Sequence, residues 1–284
     1  MYCLCYNVLM ENNNIIKNFL YGIILGVANV IPGVSGGTMA VILNIYDSIL
    51  LAFTKENIKK SLPFLLPLGM GTLIGIYTFS QLITSLLEDH RILLTFSFLG
   101  IILGSIPAIY QRGRYEKAKP KNVFLGLLAL VFMIALAYIS NSMSMGTTFF
   151  IWESGNPVFY IWLFVSSTLA MIAMLLPGIS GSLILLVLGA YTIAMEAIAY
   201  FQWNILFVLA LGVLLGGYLG VKGIQNMLKN HPQALYFIIL GLVVGSLFIL
   251  FPSVKGGLGS PLNFFVLFFF ISISFGFSRK KNSA

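Results

Sequence analysis

The motif Pro-Gly-x-Ser-Gly occurs twice within apolar sequence, once between Ile31 and Tyr46 and again between Leu176 and Tyr191. Proline lacks an amide donor and glycine weakens a helix, so each motif predicts a break in a helix that crosses lipid. The serine stands where a helix N-cap belongs, and freed amide groups and hydroxyls in the following turn can bind an anion such as phosphate. The groups that would do so are those of Ser35, Gly36, Gly37, Thr38, Ser180, Gly181 and Ser182.

Few ionisable residues lie inside apolar sequence, and two of them follow the motifs. Asp47 comes directly after Tyr46, and Glu196 lies on the helix that begins near Tyr191. Charges within a membrane are costly and usually functional. Asp47 and Glu196, with the neighbouring Tyr46 and Tyr191, are therefore candidates for gating or for binding a coupling proton or sodium ion. Lys222 is a further intramembrane charge. The alternative for all three charges is a position near an interface, where they snorkel or cap a helix.

The pairs His90-Arg91 and His231-Pro232 each begin a helix after a short loop. On the topology below, the two histidines lie on opposite sides of the membrane, so we expect no two-histidine metal site. His90 and Arg91 are candidates for capturing an anionic headgroup at the outer surface. Cys3 and Cys5 alone can build neither a disulfide framework nor a four-ligand zinc site, and we expect no cofactor.

The composition is that of a polytopic membrane protein. Of 284 residues, 59% are hydrophobic and 8% are charged, with a mean hydropathy of +0.98, which excludes a soluble domain. The net charge of +8 is not clustered on a module that could dock on a duplex, so no nucleic-acid partner is expected. Apolar segments, five in each half, are predicted at 15–31, 34–53, 62–87, 92–110, 122–140, 158–176, 179–201, 204–227, 234–251 and 262–278.

The two halves repeat one another. Beyond the motifs, HRILLTFSFLGIILGS from His90 aligns with HPQALYFIILGLVVGS from His231. Two such matches in the same order predict an internal duplication. The repeated glycines are expected to form helix-packing faces; they are Gly100, Gly104, Gly241 and Gly245.

Parity predicts that the second repeat is inverted. The first two segments of each half are short, and they form either two crossings or one re-entrant hairpin, but the number of crossings is odd in both cases. With the N-terminus inside, all 16 Lys and Arg except Arg91 and Lys255 fall on the cytoplasmic side. The predicted fold is therefore an all-α inverted-repeat membrane protein with broken or re-entrant helices and both termini cytoplasmic. Its parts are an N-terminal stretch at 1–14, repeats at 15–140 and 158–278, an external linker at 141–157 and a basic tail at 279–284.

Inverted repeats would bring the two broken helices to one site near the midplane of the membrane. The alternative is that both motifs are close-packing kinks, since small residues are common at membrane helix contacts. Asn29 and Asn44 flank the first motif, whereas Met174 and Gly189 stand at the equivalent positions of the second. This difference suggests that the two sides of the site are not equivalent.

At GVANVIPGVSGGTMAVILNIYDSIL and AMIAMLLPGISGSLILLVLGAY, the chain strongly resembles a bacterial membrane family long known as domain of unknown function 368 (DUF368). Its members are assigned as polyprenyl-phosphate transporters. The resemblance runs from about Lys17 to Phe277. It implies that undecaprenyl phosphate, the lipid carrier of peptidoglycan and surface-glycan synthesis, is flipped from the outer to the cytoplasmic leaflet of the cytoplasmic membrane for reuse.

The resemblance also implies which residues bind the headgroup, and it shows departures. The family often has an acidic residue where Asn29 stands and a Glu-Arg pair where Asp47 and Ser48 stand, so roles of those charges do not transfer. We include Asn29 in the binding set because it flanks the motif. The set is Asn29, Pro32, Gly33, Ser35, Gly36, Gly37, Thr38, Pro177, Gly178, Ser180, Gly181 and Ser182.

Two other functions compete with a lipid transporter. A polyprenyl-diphosphate phosphatase has a similar motif with an arginine, but neither PGVSGG nor PGISGS contains one, so we expect no catalysis. A transporter or channel for a small anion would use the same half-helix ends. A channel should show a continuous polar pore lining, whereas the polar residues here concentrate at the breaks.

Overall fold

A computed structural model describes residues 14–30, 35–53, 57–113, 118–142, 156–254 and 260–280, and over these ranges the regular structure is entirely α-helical. The helices are α1 Ile15–Val30, α2 Gly36–Ile42, α3 Tyr46–Ala52, α4 Leu62–Asp89, α5 Arg91–Gly113, α6 Pro120–Ser142, α7 Pro157–Leu175, α8 Gly181–Val187, α9 Tyr191–Ala199, α10 Trp203–Asn230, α11 Pro232–Val254 and α12 Pro261–Lys280.

The long helices identify a multi-pass membrane protein. Within the described ranges, six helices are long and apolar enough to cross a membrane, or up to seven if the bent pair α8–α9 is one span. Large apolar side chains cover the outside: Leu73 and Leu214 are both 70% exposed and Phe265 is 69% exposed. Such a surface is stable in lipid and would aggregate in water. The all-α membrane class predicted from composition is confirmed.

Equivalent helices of the two halves make equivalent contacts. Helix α1 packs along α4, and α7 packs along α10 in the same way. The last helix of each half packs instead on the other half, α6 on α11 and α12 on α5, and α5 and α11 contact each other. Ser105 and Ser246, which the sequence repeat equates, are fully buried at 0% and 1% exposure, and each donates to the carbonyl three residues before it. The two halves therefore interlock through their last helices, α6 and α12.

Glycine allows the backbones of these crossing helices to touch. A Cβ added at Gly100 would collide with the Leu267 carbonyl of α12, and one at Gly241 would collide with the Gly126 carbonyl of α6. Small residues give close van der Waals packing where lipid removes the hydrophobic driving force. The packing role predicted for the repeated glycines is confirmed at these positions.

Each motif is followed by two short helices, where the sequence predicted one apolar segment. A second break separates α2 from α3 and α8 from α9, with a bend of 115° in the second pair. Asn44 and Gly189 adopt left-handed φ values of 59° and 73° there. Ile45 N donates to the Ala40 carbonyl, and the equivalent bond follows Gly189, which is the Schellman helix stop. The prediction of one uninterrupted segment at 34–53 and at 179–201 was wrong, because each contains this second break.

Candidate functional site

The two Pro-Gly-x-Ser-Gly motifs contact each other directly. The Gly178 amide donates to Ser35 Oγ at 3.1 Å and to Thr38 Oγ1 at 2.9 Å, although these residues are more than a hundred positions apart. The two hydroxyl oxygens are 2.9 Å from each other, and Ser35 and Thr38 are 4% and 2% exposed. Ser35 also caps α2, because its Oγ accepts from the Thr38 amide at 3.1 Å. The first motif thus offers buried hydroxyls, and the second offers a backbone donor.

Close packing holds this contact together. A Cβ added at Gly37 would lie 3.4 Å from Pro177 Cα. Gly178 has a φ of +94°, which L side chains rarely adopt, and a Cβ there would lie 2.7 Å from the backbone of Leu242 in α11. Gly36 N donates to Asn29 Oδ1 at 3.1 Å, so Asn29 satisfies the first amide of α2. The structure therefore brings most of the predicted binding set to one place; Pro32 and Gly33 lie outside the described residues.

The hydroxyls of the second motif are arranged differently. Ser180 Oγ and Ser182 Oγ are 2.6 Å apart, with Ser182 exposed and Ser180 half-buried, and the Ser180 side chain does not cap α8. The equivalent serine of the first motif does cap its helix. The first turn of α8 therefore keeps its amide groups available beside two accessible hydroxyls, and the two halves of the candidate site are chemically unlike.

Asn44 has a structural role that the sequence analysis did not foresee. The sequence suggested that Asn44, like Asn29, makes the two sides of the site different. Asn44 and Gly189 both take a left-handed conformation at the helix stop. Asparagine and glycine are the residues that tolerate that conformation best. The same turn geometry occurs in both halves with different residues, so Asn44 does not mark a difference between the two sides, and of the two asparagines only Asn29 contacts the motif.

Two adjacent residues at the start of α3 connect the motifs to the central helices. Tyr46 OH donates to the carbonyl of Leu175, the last residue of α7, at 3.1 Å. Asp47 accepts from Tyr236 OH through both carboxylate oxygens, at 2.8 and 2.7 Å. Arg112 Nη1 lies 3.6 Å from Asp47 Oδ2. The start of α3 is thereby fixed to α7, α11 and α5.

Comparison with known proteins identifies the family that carries these motifs. A family model described as VCA0040-like, undecaprenyl phosphate translocase-like, matches residues 25–258. That range is well over half of the chain and contains both motifs. The chain belongs to this family.

Two curated relatives of this translocase-like family are both named polyprenyl-phosphate transporter. The protein of Staphylococcus aureus (strain NCTC 8325 / PS 47) is 32% identical over 279 residues, covering 93% of this chain and 97% of the relative. That of Vibrio cholerae serotype O1 (strain ATCC 39315 / El Tor Inaba N16961) is 30% identical over 255 residues, covering 82% and 77%. No solved structure matches. The resemblance found in the sequence is confirmed, and the relatives are named as transporters, not enzymes.

The remaining candidate residues of this family member lie away from the motif contact. Glu196 is exposed on α9, and Tyr191 is half-buried at its start. Lys222 is exposed on α10, with Nζ 5.6 Å from the centre of the Tyr218 ring, which fits a snorkelling side chain. His90 is exposed between α4 and α5, and the side chain of Arg91 lies outside the described residues. None of these five is among the groups that join the motifs in the described part of the chain.

Sequence reasoning missed Arg112 and Tyr236. The predicted apolar segment ended at residue 110, but Arg112 lies in the last turn of α5 and its side chain is only 12% exposed. Tyr236 is an ordinary aromatic residue in an apolar run, with no local signal. A signal for the position of Arg112 was available, because the apolar pattern of α5 continues close to it. Its ion-pair partner Asp47 could not be found in this way, because it lies in another segment.

Proposed function

We propose that this protein flips polyprenyl phosphate, with undecaprenyl phosphate as the natural carrier, from the outer to the cytoplasmic leaflet for reuse. The observation that carries the proposal is the direct contact between the two motifs, in a chain that belongs to the translocase-like family. Exposing a phosphate to hydrocarbon costs many kcal/mol, so a flippase needs polar groups within the membrane. The isoprenoid tail needs none and can stay in lipid.

The groups at the motif contact have the chemistry for a phosphate. The half-buried Ser180 and the exposed Ser182 offer hydroxyls, and the first turn of α8 offers amide donors. The Gly178 amide and the hydroxyls of Ser35 and Thr38 now satisfy one another. A phosphate oxygen accepts from all these groups, so a headgroup passing between the motifs would replace the contacts that it breaks. The short helices contribute through these local donors rather than through a long dipole.

The paired helix contacts support an inverted repeat, in which the two motifs approach the site from opposite sides of the membrane. Exchange of the last helix between halves is what a two-fold arrangement produces, and the odd number of crossings requires inversion. Such proteins commonly expose one site to each side in turn. The positive-inside distribution supports a topology with both termini in the cytoplasm.

Coupling to a proton or sodium ion is part of the proposal and has two candidate carboxylates. Asp47 is held by Tyr236 and Arg112, so its charge is already engaged. Glu196 is exposed on α9, so an ion can reach its carboxylate. We therefore favour Glu196 as the coupling carboxylate, and transport that is unchanged in Glu196→Gln under an ion gradient would remove this part of the proposal.

Reconstitution in liposomes with labelled polyprenyl phosphate tests the function. We expect the native protein to move the lipid between leaflets, and Ser180→Leu to slow this by about tenfold or more, because it removes a headgroup hydroxyl and blocks its approach. Ser272→Leu is the matched control, since Ser272 is exposed on α12 and donates only to the Phe268 carbonyl. It should flip lipid at the native rate.

Three results would contradict the proposed function. The first is no flipping by the native protein, and the second is equal flipping by Ser180→Leu. The third is release of phosphate from polyprenyl diphosphate, or uptake of inorganic phosphate, in place of lipid movement. These last measurements test for a phosphatase and for a small-anion transporter.

A further inference from the structure

The charged cluster of Asp47, Arg112 and Tyr236 is placed where a second phosphate-binding step would be needed. Arg112 ends α5, Tyr236 begins α11, and Asp47 begins α3, directly after the turn that follows the first motif. On the charge distribution, the ends of α5 and α11 that meet here are the cytoplasmic ends. The cluster therefore lies between the motif contact and the cytoplasm.

The contacts of Arg112 are incomplete. Its Nη1 lies 3.6 Å from Asp47, too far for a hydrogen bond, and this buried atom has no hydrogen-bond partner in the described part of the chain. Buried polar atoms are nearly always hydrogen-bonded, so the unpartnered Nη1 of Arg112 points to a group that binds there.

Breaking the ion pair would cost Asp47 less free energy than it would cost Arg112. Both of its carboxylate oxygens accept from Tyr236 OH, and its side chain is 37% exposed against 12% for Arg112. Water and the tyrosine would keep Asp47 satisfied if the guanidinium turned away. Arg112 would gain a bidentate partner in a phosphate, which matches the guanidinium better than the Tyr236 hydroxyl and one distant carboxylate oxygen do.

The equivalent positions of the other half carry no charge. Thr192 stands where Asp47 stands in the first repeat, Ser253 where Arg112 stands, and Thr95 where Tyr236 stands. An inverted repeat would place these residues on the external side. The ionic cluster is thus a property of the cytoplasmic side alone, which is where a flipped headgroup must be received.

We propose that Arg112 binds the phosphomonoester headgroup on the cytoplasmic side of the motif contact by exchanging Asp47 for the phosphate. This inference rests on the proposed function. The alternative is a purely structural ion pair that holds α3 against α5. In that case Asp47 at a helix start and Arg112 at a helix end also complement the charges of the helix termini. The two explanations predict opposite effects of Asp47→Asn on binding of the phosphate.

Binding of farnesyl phosphate to the full-length protein in nanodiscs separates them. Arg112→Gln should weaken binding by about tenfold or more, since it removes a charged donor to the phosphate. Asp47→Asn should tighten binding roughly two- to fivefold, because it removes the competing carboxylate from a partly exposed pair. Arg112→Lys should fall between the native protein and Arg112→Gln. Lys121→Gln is the matched control, because Lys121 is exposed on the same side, and it should bind as the native protein does.

Farnesol and inorganic phosphate complete the experiment. Farnesol binding should not depend on Arg112, whereas weakening of inorganic phosphate binding alone, with farnesyl phosphate unaffected, would overturn the inference in favour of a small anion. Weaker binding in both Arg112→Gln and Asp47→Asn would overturn it in favour of a structural pair. Native flipping is measured separately, so unchanged binding in Arg112→Gln by a protein that flips lipid defeats the inference and leaves the proposed function standing.

Discussion

Replacing Gly178 with alanine is expected to cost about 3 kcal/mol or more of stability and to abolish lipid flipping. The backbone φ of +94° is strained for any L side chain, and the added Cβ would lie 2.7 Å from backbone atoms of Leu242 and Val243. Because those atoms belong to a buried helix, they cannot move aside as the end of a flexible side chain does. The residue 178 amide would then lose its hydrogen bonds to Ser35 Oγ and Thr38 Oγ1.

The measurement is the melting temperature and the yield of monodisperse protein in detergent, followed by the flipping rate. Gly223→Ala is the matched control, since an alanine Cβ there meets nothing within 4 Å and the residue lies in the helix α10. Alanine favours a helix over glycine by about 1 kcal/mol, so this control should melt at the native temperature or above it. A Gly178→Ala protein as stable as the control would refute the tight motif contact.

Removing the two buried hydroxyls together is expected to have the second largest effect. The Gly178 amide is shared between Ser35 Oγ and Thr38 Oγ1, so either oxygen alone can still accept from it. Thr38→Val should therefore cost little, and Ser35→Ala about 1 kcal/mol for the lost helix cap. The double variant leaves a buried amide without an acceptor, which adds about 1–3 kcal/mol beyond the sum of the single variants.

Flipping should follow the same pattern if these hydroxyls also contact the headgroup. We expect the double variant to be slower than native by about tenfold or more, and each single variant to be affected less. The Ser105→Ala variant provides the control, because Ser105 is equally buried but donates only to the Ile102 carbonyl within its own helix. Strict additivity of the single variants in both stability and flipping would show that the shared hydrogen bond is unimportant.

Much of this architecture could be predicted from the sequence, because lipid leaves the chain few choices. Apolar segment lengths follow from local composition, and the repeated motifs and the family resemblance are carried by the residues at Pro-Gly-x-Ser-Gly. The second break after each motif could also have been found: Asn44 and Gly189 are residues that stop helices in a left-handed conformation. It was missed because the apolar character of the sequence continues through the turn.

The contacts between distant residues could not be predicted in the same way. Nothing local to Ser35 or Gly178 shows that one bonds the other, and the repeat suggested only that the motifs converge. The ion pair of Arg112 with Asp47 joins α5 to α3 through the tertiary fold. The predicted apolar segment ended before Arg112, whereas the burial of Arg112 depends on which helices pack against α5.

Locking the two motifs together tests most directly the claim that the headgroup passes between them. In a variant with Cys3 and Cys5 replaced by serine, cysteines are introduced at Gly37 and Pro177. The Cβ expected at residue 37 lies 3.4 Å from the Cα of residue 177, within the reach of a disulfide. Each single-cysteine variant, treated with the same oxidant, controls for oxidation itself. We expect the oxidised double variant to lose flipping of polyprenyl phosphate and to regain it on reduction; flipping that continues at the native rate with the disulfide formed would contradict the account.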